Sequence, residues 1–273
     1  MQAPLSRRPL RGIPFRALVP NAITALALCL GLTGVRFALA ERWDLAIICI
    51  VIAAILDALD GRVARLLDAQ TRFGAELDSL SDVIAFGVSP AIIIFLWSLQ
   101  NVPRFGWIVA LAHAVCAALR LARFNASIDT EEQPHKSAGF LTGVPAPAGA
   151  GLLLLPIYLW LWLGEDARAQ PVVISVWAAL VALAMISNVA TFSWGSIRLR
   201  TAYRLAALLV VGLIGTALIS EPWATLSIAA VCYAAAIPLA ALSYARVRRT
   251  RSTRFAAAAQ PGDVSRSANE PSA

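Results

Sequence analysis

Four aspartates, Asp57, Asp60, Asp78 and Asp82, fall within one stretch, DALDGRVARLLDAQTRFGAELDSLSD (57–82), with apolar runs on either side. Ionisable groups at membrane depth are expensive to hold and mark functional sites. On a helix, Asp57, Asp60, Gly61 and Ala64 share an arc of about 100°. Gly74, Asp78 and Asp82 recur at i, i+4 and i+8, again on one face. The link 66–73 is short and polar, so the two helices are antiparallel neighbours and their acidic faces can meet. Carboxylates brought together in a low dielectric repel one another and take up protons unless a cation neutralises them. An all-oxygen ligand set suits a hard divalent ion, Mg²⁺ or Mn²⁺. Such ions clamp phosphoryl oxygens, and a carboxylate left over can act as a general base. The pattern therefore points to chemistry on a phosphate ester. Gly61 and Gly74 lie on the same faces although glycine costs a helix about 1 kcal/mol against alanine. They leave room for a bulky ligand; close helix packing in a membrane is the other use of small residues.

The elements that must carry this cluster are apolar helices. The chain has 273 residues, 59% hydrophobic and only 14% charged, where a soluble domain would carry about 25% charge. About eight runs reach the length of a membrane-spanning helix, near 19–39, 43–63, 76–98, 105–124, 143–163, 171–192, 203–220 and 223–244. The expected fold is all-α, a polytopic membrane helical bundle with both termini cytoplasmic. Residues 1–17 read as a cytoplasmic or interfacial segment broken by Pro9 and Pro14, 18–245 as one membrane-embedded domain, and 246–273 as a basic tail that begins helical and becomes disordered. The net charge of +7 does not indicate nucleic acid, because of where the charge falls. With the N-terminus inside, every lysine and arginine except Arg36, Arg42, Arg104 and Arg168 lies on the cytoplasmic side, a strong positive-inside bias. Trp43, Trp97, Trp107, Trp160, Trp162 and Trp223 fall near outer helix ends, where an aromatic belt sits. Cys29, Cys49, Cys116 and Cys232 lie in apolar spans without metal-ligand spacing and read as small packing residues.

Asp57, Asp60, Gly61, Ala64, Arg65, Gly74, Asp78 and Asp82 resemble the CDP-alcohol phosphotransferase signature, D-x2-D-G-x2-A-R-x8-G-x3-D-x3-D, with no departure. Further segments resemble one branch, the bacterial-type phosphatidylserine synthases: PNAIT at 20–24, FGAELDSLSDVIAFGVSPA at 73–91, ALRLARFN at 118–125, GFLTGVPAPAGAG at 139–151 and ISN at 186–188. The resemblance implies an enzyme of the cytoplasmic membrane whose active site faces the cytoplasm. It implies transfer of a phosphatidyl group from CDP-diacylglycerol to L-serine with release of CMP, a pair of Mg²⁺ or Mn²⁺ ions, and a homodimer. Carried onto this chain, Asp57, Asp60 and Asp78 become metal ligands, and Asp82 the general base, also touching the second ion. Gly61, Ala64, Arg65 and Gly74 become the cytidine and diphosphate cradle, joined by Asn21 and Thr24.

Arg120 and Arg123 stand three apart on one helix face. One of them is expected to bind a phosphate or the carboxylate of serine, because arginine matches planar oxyanions. Asn125 follows the same reasoning, and the bland use of all three is to anchor the inner helix end. Choline, glycerol 3-phosphate and inositol are the alternative acceptors. A transporter that carries cations on its aspartates is the reading from a different class; against it, the chain shows no inverted repeat and its acids sit toward one side.

Overall fold

The computed structural model describes residues 15–128, 140–164, 170–187, 190–192 and 204–258. Helix α1 (Phe15–Leu39) turns back through residues 40–42, with Arg42 N–H bonded to Phe37 C=O at 3.0 Å, into the antiparallel α2 (Trp43–Leu66). The pair packs closely because Gly34 has no side chain: a Cβ there would lie 3.0 Å from the Ala46 carbonyl oxygen. A short turn through Asp68 (φ 48°) leads to α3 (Arg72–Asp82), capped by Thr71, whose hydroxyl accepts from Gly74 N–H at 3.0 Å. This cap satisfies one of the free N–H groups of the first turn. Helix α3 continues without a break through a π-helical turn (Val83–Val88) into α4 (Ser89–Trp97). Next come α5 (Phe105–Ile128), α6 (Ala146–Leu153) and α7 (Leu155–Leu163), α8 (Pro171–Ile186), α9 (Arg204–Ser220) and α10 (Pro222–Ala258).

Among the described residues, four helices are long and apolar enough to cross a membrane, or five if α6 and α7, bent by 42°, form one span. Helix α2 is just as long but carries Asp44, Asp57 and Asp60, and α8 and α9 are shorter apolar helices. Each segment expected to be helical contains helix. The sixth stops early, at Ile186 rather than 192. Residues Ala190–Phe192 instead form a strand, β2, antiparallel to β1 (Phe140–Thr142) with Phe140 opposite Phe192. This two-stranded ribbon is the departure from an all-helical chain. The interfacial helix expected near the N-terminus lies almost wholly outside the described residues. In the basic tail, the helical start is seen as α10 running on to Ala258, and the remainder lies outside them.

The core is built where α1, α2, the π turn, α4, α6 and α8 converge, around Ile47, Ile50, Phe86, Ile93, Ile94, Leu153 and Met185. Two of the tryptophans expected in an aromatic belt are core residues instead. Trp97 is fully buried and packs on Trp160 at 5.9 Å between ring centroids, and Trp43 is 7% exposed, whereas Trp107 is 53% exposed. Sequence position gives the depth of a residue along a helix, but packing decides which way it faces.

Two contacts made through backbone fix the middle of the bundle. A Cβ on Gly31 of α1 would lie 2.8 Å from Ala85 Cα, and one on Gly87 would lie 2.9 Å from Ala117 Cβ of α5. The π turn is thus seated between α1 and α5. In contrast, Gly212 of α9 has nothing within 4 Å of a Cβ position. Gly31→Ala is therefore expected to destabilise the protein by about 1–3 kcal/mol through overpacking. Gly212→Ala should be neutral or stabilising by up to about 1 kcal/mol, from helix propensity. Thermal unfolding of both variants in the same detergent checks the contrast.

Candidate active site

The C-terminal end of α2 and the first turns of α3 lie beside the start of α1, and the carboxylates meet there. Asp57, Asp60 and Asp78 each offer a ligand oxygen within 4.8 Å of the others. The cluster is held from α1. Thr24, 4% exposed, donates to Asp60 Oδ2 at 2.5 Å, and its hydroxyl also approaches the Pro20 carbonyl at 3.1 Å. Ser81 Oγ bonds the Thr24 carbonyl at 3.2 Å, tying α3 back to α1. Asp82 lies one turn deeper than Asp78. Its carboxyl is within hydrogen-bonding reach of Asp57, while its Oδ1 is buried with no partner. An unmet carboxylate oxygen beside three more carboxylates is a donor set that fits hard divalent cations. Asp57, Asp60 and Asp78 would hold them, with Asp82 at their edge.

Next to the cluster is a cavity of about 330 Å³. Its walls contain every residue expected in the nucleotide cradle: Asn21, Thr24, Gly61, Ala64, Arg65 and Gly74, together with Asp60 and Asp78. The two glycines are used differently. A Cβ at Gly74 would lie 2.8 Å from Asn21 Oδ1 and 3.2 Å from Thr71 Oγ1, so a side chain there would crowd the cavity wall. At Gly61 the nearest atom is the Arg65 guanidinium, 3.8 Å away, leaving the α2 backbone open beneath a cation.

The three residues at the end of α5 separate. Arg123 donates to the Ile186 carbonyl at 2.9 Å and approaches that of Ser187 at 3.5 Å, so it caps the C-terminus of α8. Asn125 Nδ2 donates to Ser79 Oγ at 2.9 Å, joining α5 to α3. Arg120 alone turns toward the carboxylates: Asp82 and Tyr233 are within electrostatic reach of its guanidinium, and its Nε is buried and unbonded.

The profile of the family described as CDP-alcohol phosphatidyltransferase matches residues 17–187. The chain belongs to this family. A second profile, CDP-alcohol phosphatidyltransferase 2, matches residues 202–238. Proteins named CDP-diacylglycerol–serine O-phosphatidyltransferase are similar over most of the chain. The one from Mycobacterium tuberculosis is 38% identical over 85% of this chain and 81% of its own length. That from Mycobacterium leprae is 35% identical over 82% and 74%. One from Helicobacter pylori is 43% identical over a shorter stretch, 42% of this chain and 48% of the relative.

Several residues in or near this candidate site escaped the sequence reading. Thr71 and Gln70 line the cavity from the α2–α3 turn. A threonine just before a helical run was a cap signal that could have been noticed. Tyr233 of α10, within electrostatic reach of Arg120, comes from far along the chain, so only the fold brings it near.

The Thr24–Asp60 bond orients a carboxylate of the candidate metal cluster, and removing a partner of a metal-ligating group typically costs about 10–100-fold in metal affinity. Thr24→Val should accordingly raise the Mn²⁺ concentration needed for half-maximal thermal stabilisation by CDP by about tenfold or more. Thermal shift in detergent, titrating Mn²⁺ at fixed CDP, measures it.

Proposed function

We propose that this chain transfers the phosphatidyl group of CDP-diacylglycerol to L-serine, giving phosphatidylserine and CMP. The observation that carries this reading is the single cavity in which the nucleotide-cradle residues border the aspartate cluster. Similarity to serine phosphatidyltransferases over most of the chain supports the donor and acceptor. The reaction belongs at the cytoplasmic face of the cytoplasmic membrane, in a bundle of eight spans with both termini inside. The start of α1, the ends of α2, α5 and α8, and the start of α3 all gather around the site, which agrees with an even number of crossings. A homodimer is part of the same proposal.

Each residue has a role that its position supports. Asp57, Asp60 and Asp78 hold two Mg²⁺ or Mn²⁺ ions, which when bound neutralise diphosphate charge and polarise phosphoryl oxygens. Asn21, Gly61, Ala64 and Gly74 form the walls that receive cytidine and its diphosphate, and Arg65 steadies the phosphate that leaves as CMP. Asp82 takes the proton of the serine hydroxyl. The hydroxyl oxygen then attacks the phosphorus that bears diacylglycerol, and the bond from that phosphorus to the CMP oxygen breaks. Arg120 binds the serine carboxylate. Its unbonded Nε and the unbonded Asp82 Oδ1 are complementary to a molecule that offers an anionic group and a hydroxyl proton together. Holding the reactants in this geometry supplies much of the acceleration.

Asp82→Asn should lower kcat by roughly 100-fold or more, in the range for loss of general base catalysis, with the donor KM changed only a few-fold. Arg120→Ala should raise the serine KM by about tenfold, the worth of one charged hydrogen bond, whereas Arg123→Ala should lower thermal stability instead. CMP release by purified protein with CDP-diacylglycerol and Mn²⁺ reads these effects, with serine compared against choline, glycerol 3-phosphate and inositol. Release that depends on one of the other alcohols would keep the chemistry and move the acceptor.

A further inference from the structure

His113 is a buried polar group that none of this chemistry uses. It sits in α5 with no exposed surface, and neither ring nitrogen has a hydrogen-bond partner of good geometry. An imidazole in a protein interior has a donor and an acceptor to satisfy. What it faces is the π turn. Gly87 of that turn meets α5 at Ala114 and Ala117, within a turn of His113, and the backbone group toward which the imidazole points is that of Phe86. In an α-helix the Phe86 carbonyl would accept from the N–H four residues on. That residue is Pro90, which has none. The carbonyl therefore has no donor four residues on and depends on the wider register of the π turn, and His113 is the side chain that faces it. The turn begins directly after Asp82, so its wide register sets where the last aspartate of the site points. Wide turns of this kind occur frequently at functional sites.

We propose that His113 is a positioning residue for the transfer: its ring N–H, facing the Phe86 carbonyl, holds the π turn in the register that aims Asp82 at the acceptor hydroxyl. The carbonyl is polar and the surroundings are apolar, so the neutral imidazole is the fitting form. No sequence motif announces the role. It arises from a proline on α4, a carbonyl in the turn and a histidine on α5.

The proposal rests on the phosphatidyl-transfer reading, which wild-type turnover tests by itself; whichever acceptor supports release is used for the variants. Full-length His113→Leu and His113→Gln are compared with wild type by CMP release, thermal unfolding and CDP binding by calorimetry in Mn²⁺. His113→Leu is expected to lower kcat by about tenfold or more. Both KM values and the CDP affinity should stay within about twofold, since donor and acceptor contacts are untouched. His113→Gln, which keeps a side-chain N–H donor of similar reach, should recover most of the loss. Wild-type kcat in the Leu variant would overturn the proposal. So would a loss shared by CDP affinity, or a Gln variant no better than Leu. Should the Leu variant fail to fold, Gln against the shorter Asn decides: retention of kcat in Gln with loss in Asn supports the role, and equal kcat in the two overturns it.

Discussion

Bringing an oxygen of each of three carboxylates within 4.8 Å of the others is the constraint around which this protein is built. Left alone, such groups repel and the helices carrying them splay. The chain opposes this with short-range neutral contacts. A buried threonine donates to one carboxylate, a serine pins the next helix to the first, and a capping threonine closes the start of α3. Mutual repulsion that the fold restrains becomes affinity for a divalent ion, because the ion relieves it.

Rigidity here comes from backbone meeting backbone. Gly31 against Ala85 and Gly87 against Ala117 leave no side chain between helices that could hop between rotamers. Packing at this distance is favoured in membranes, where helices gain little from the hydrophobic effect and associate through close van der Waals contact. The aspartates on α3 therefore keep their place relative to α1 and α5 with little slack.

Much of this was legible in the sequence, for a physical reason. Hydropathy reports burial in lipid, and helical spacing reports which residues share a face, so the apolar segments and the aspartate faces could both be read. The six residues expected in a nucleotide cradle came from the motif, and one cavity wall contains them all. Azimuth was not legible: Trp97 sits at a helix end like Trp107, yet one is core and the other faces outward. Nor could spacing separate Arg120 from Arg123. They share a face of α5, but what each meets depends on α8 and α10, which lie far along the chain. The π turn was hidden too, because its sequence, VIAFGV, reads as any apolar helix.

Helix α9 is the opposite of this tightly seated centre. Leu205, Leu208 and Val211 are 81%, 69% and 67% exposed, and a Cβ on Gly212 or Gly215 would meet open space. At 17 residues it is about 25 Å long, short of the roughly 30 Å hydrocarbon layer. Lipid thickness varies with composition, and a helix shorter than the hydrocarbon layer adjusts by thinning the bilayer around it. An enzyme that alters the lipid mixture of its own membrane thus carries a compliant element away from the carboxylates. Thickness changes can be absorbed at α9 while the distances that matter for phosphoryl chemistry stay fixed.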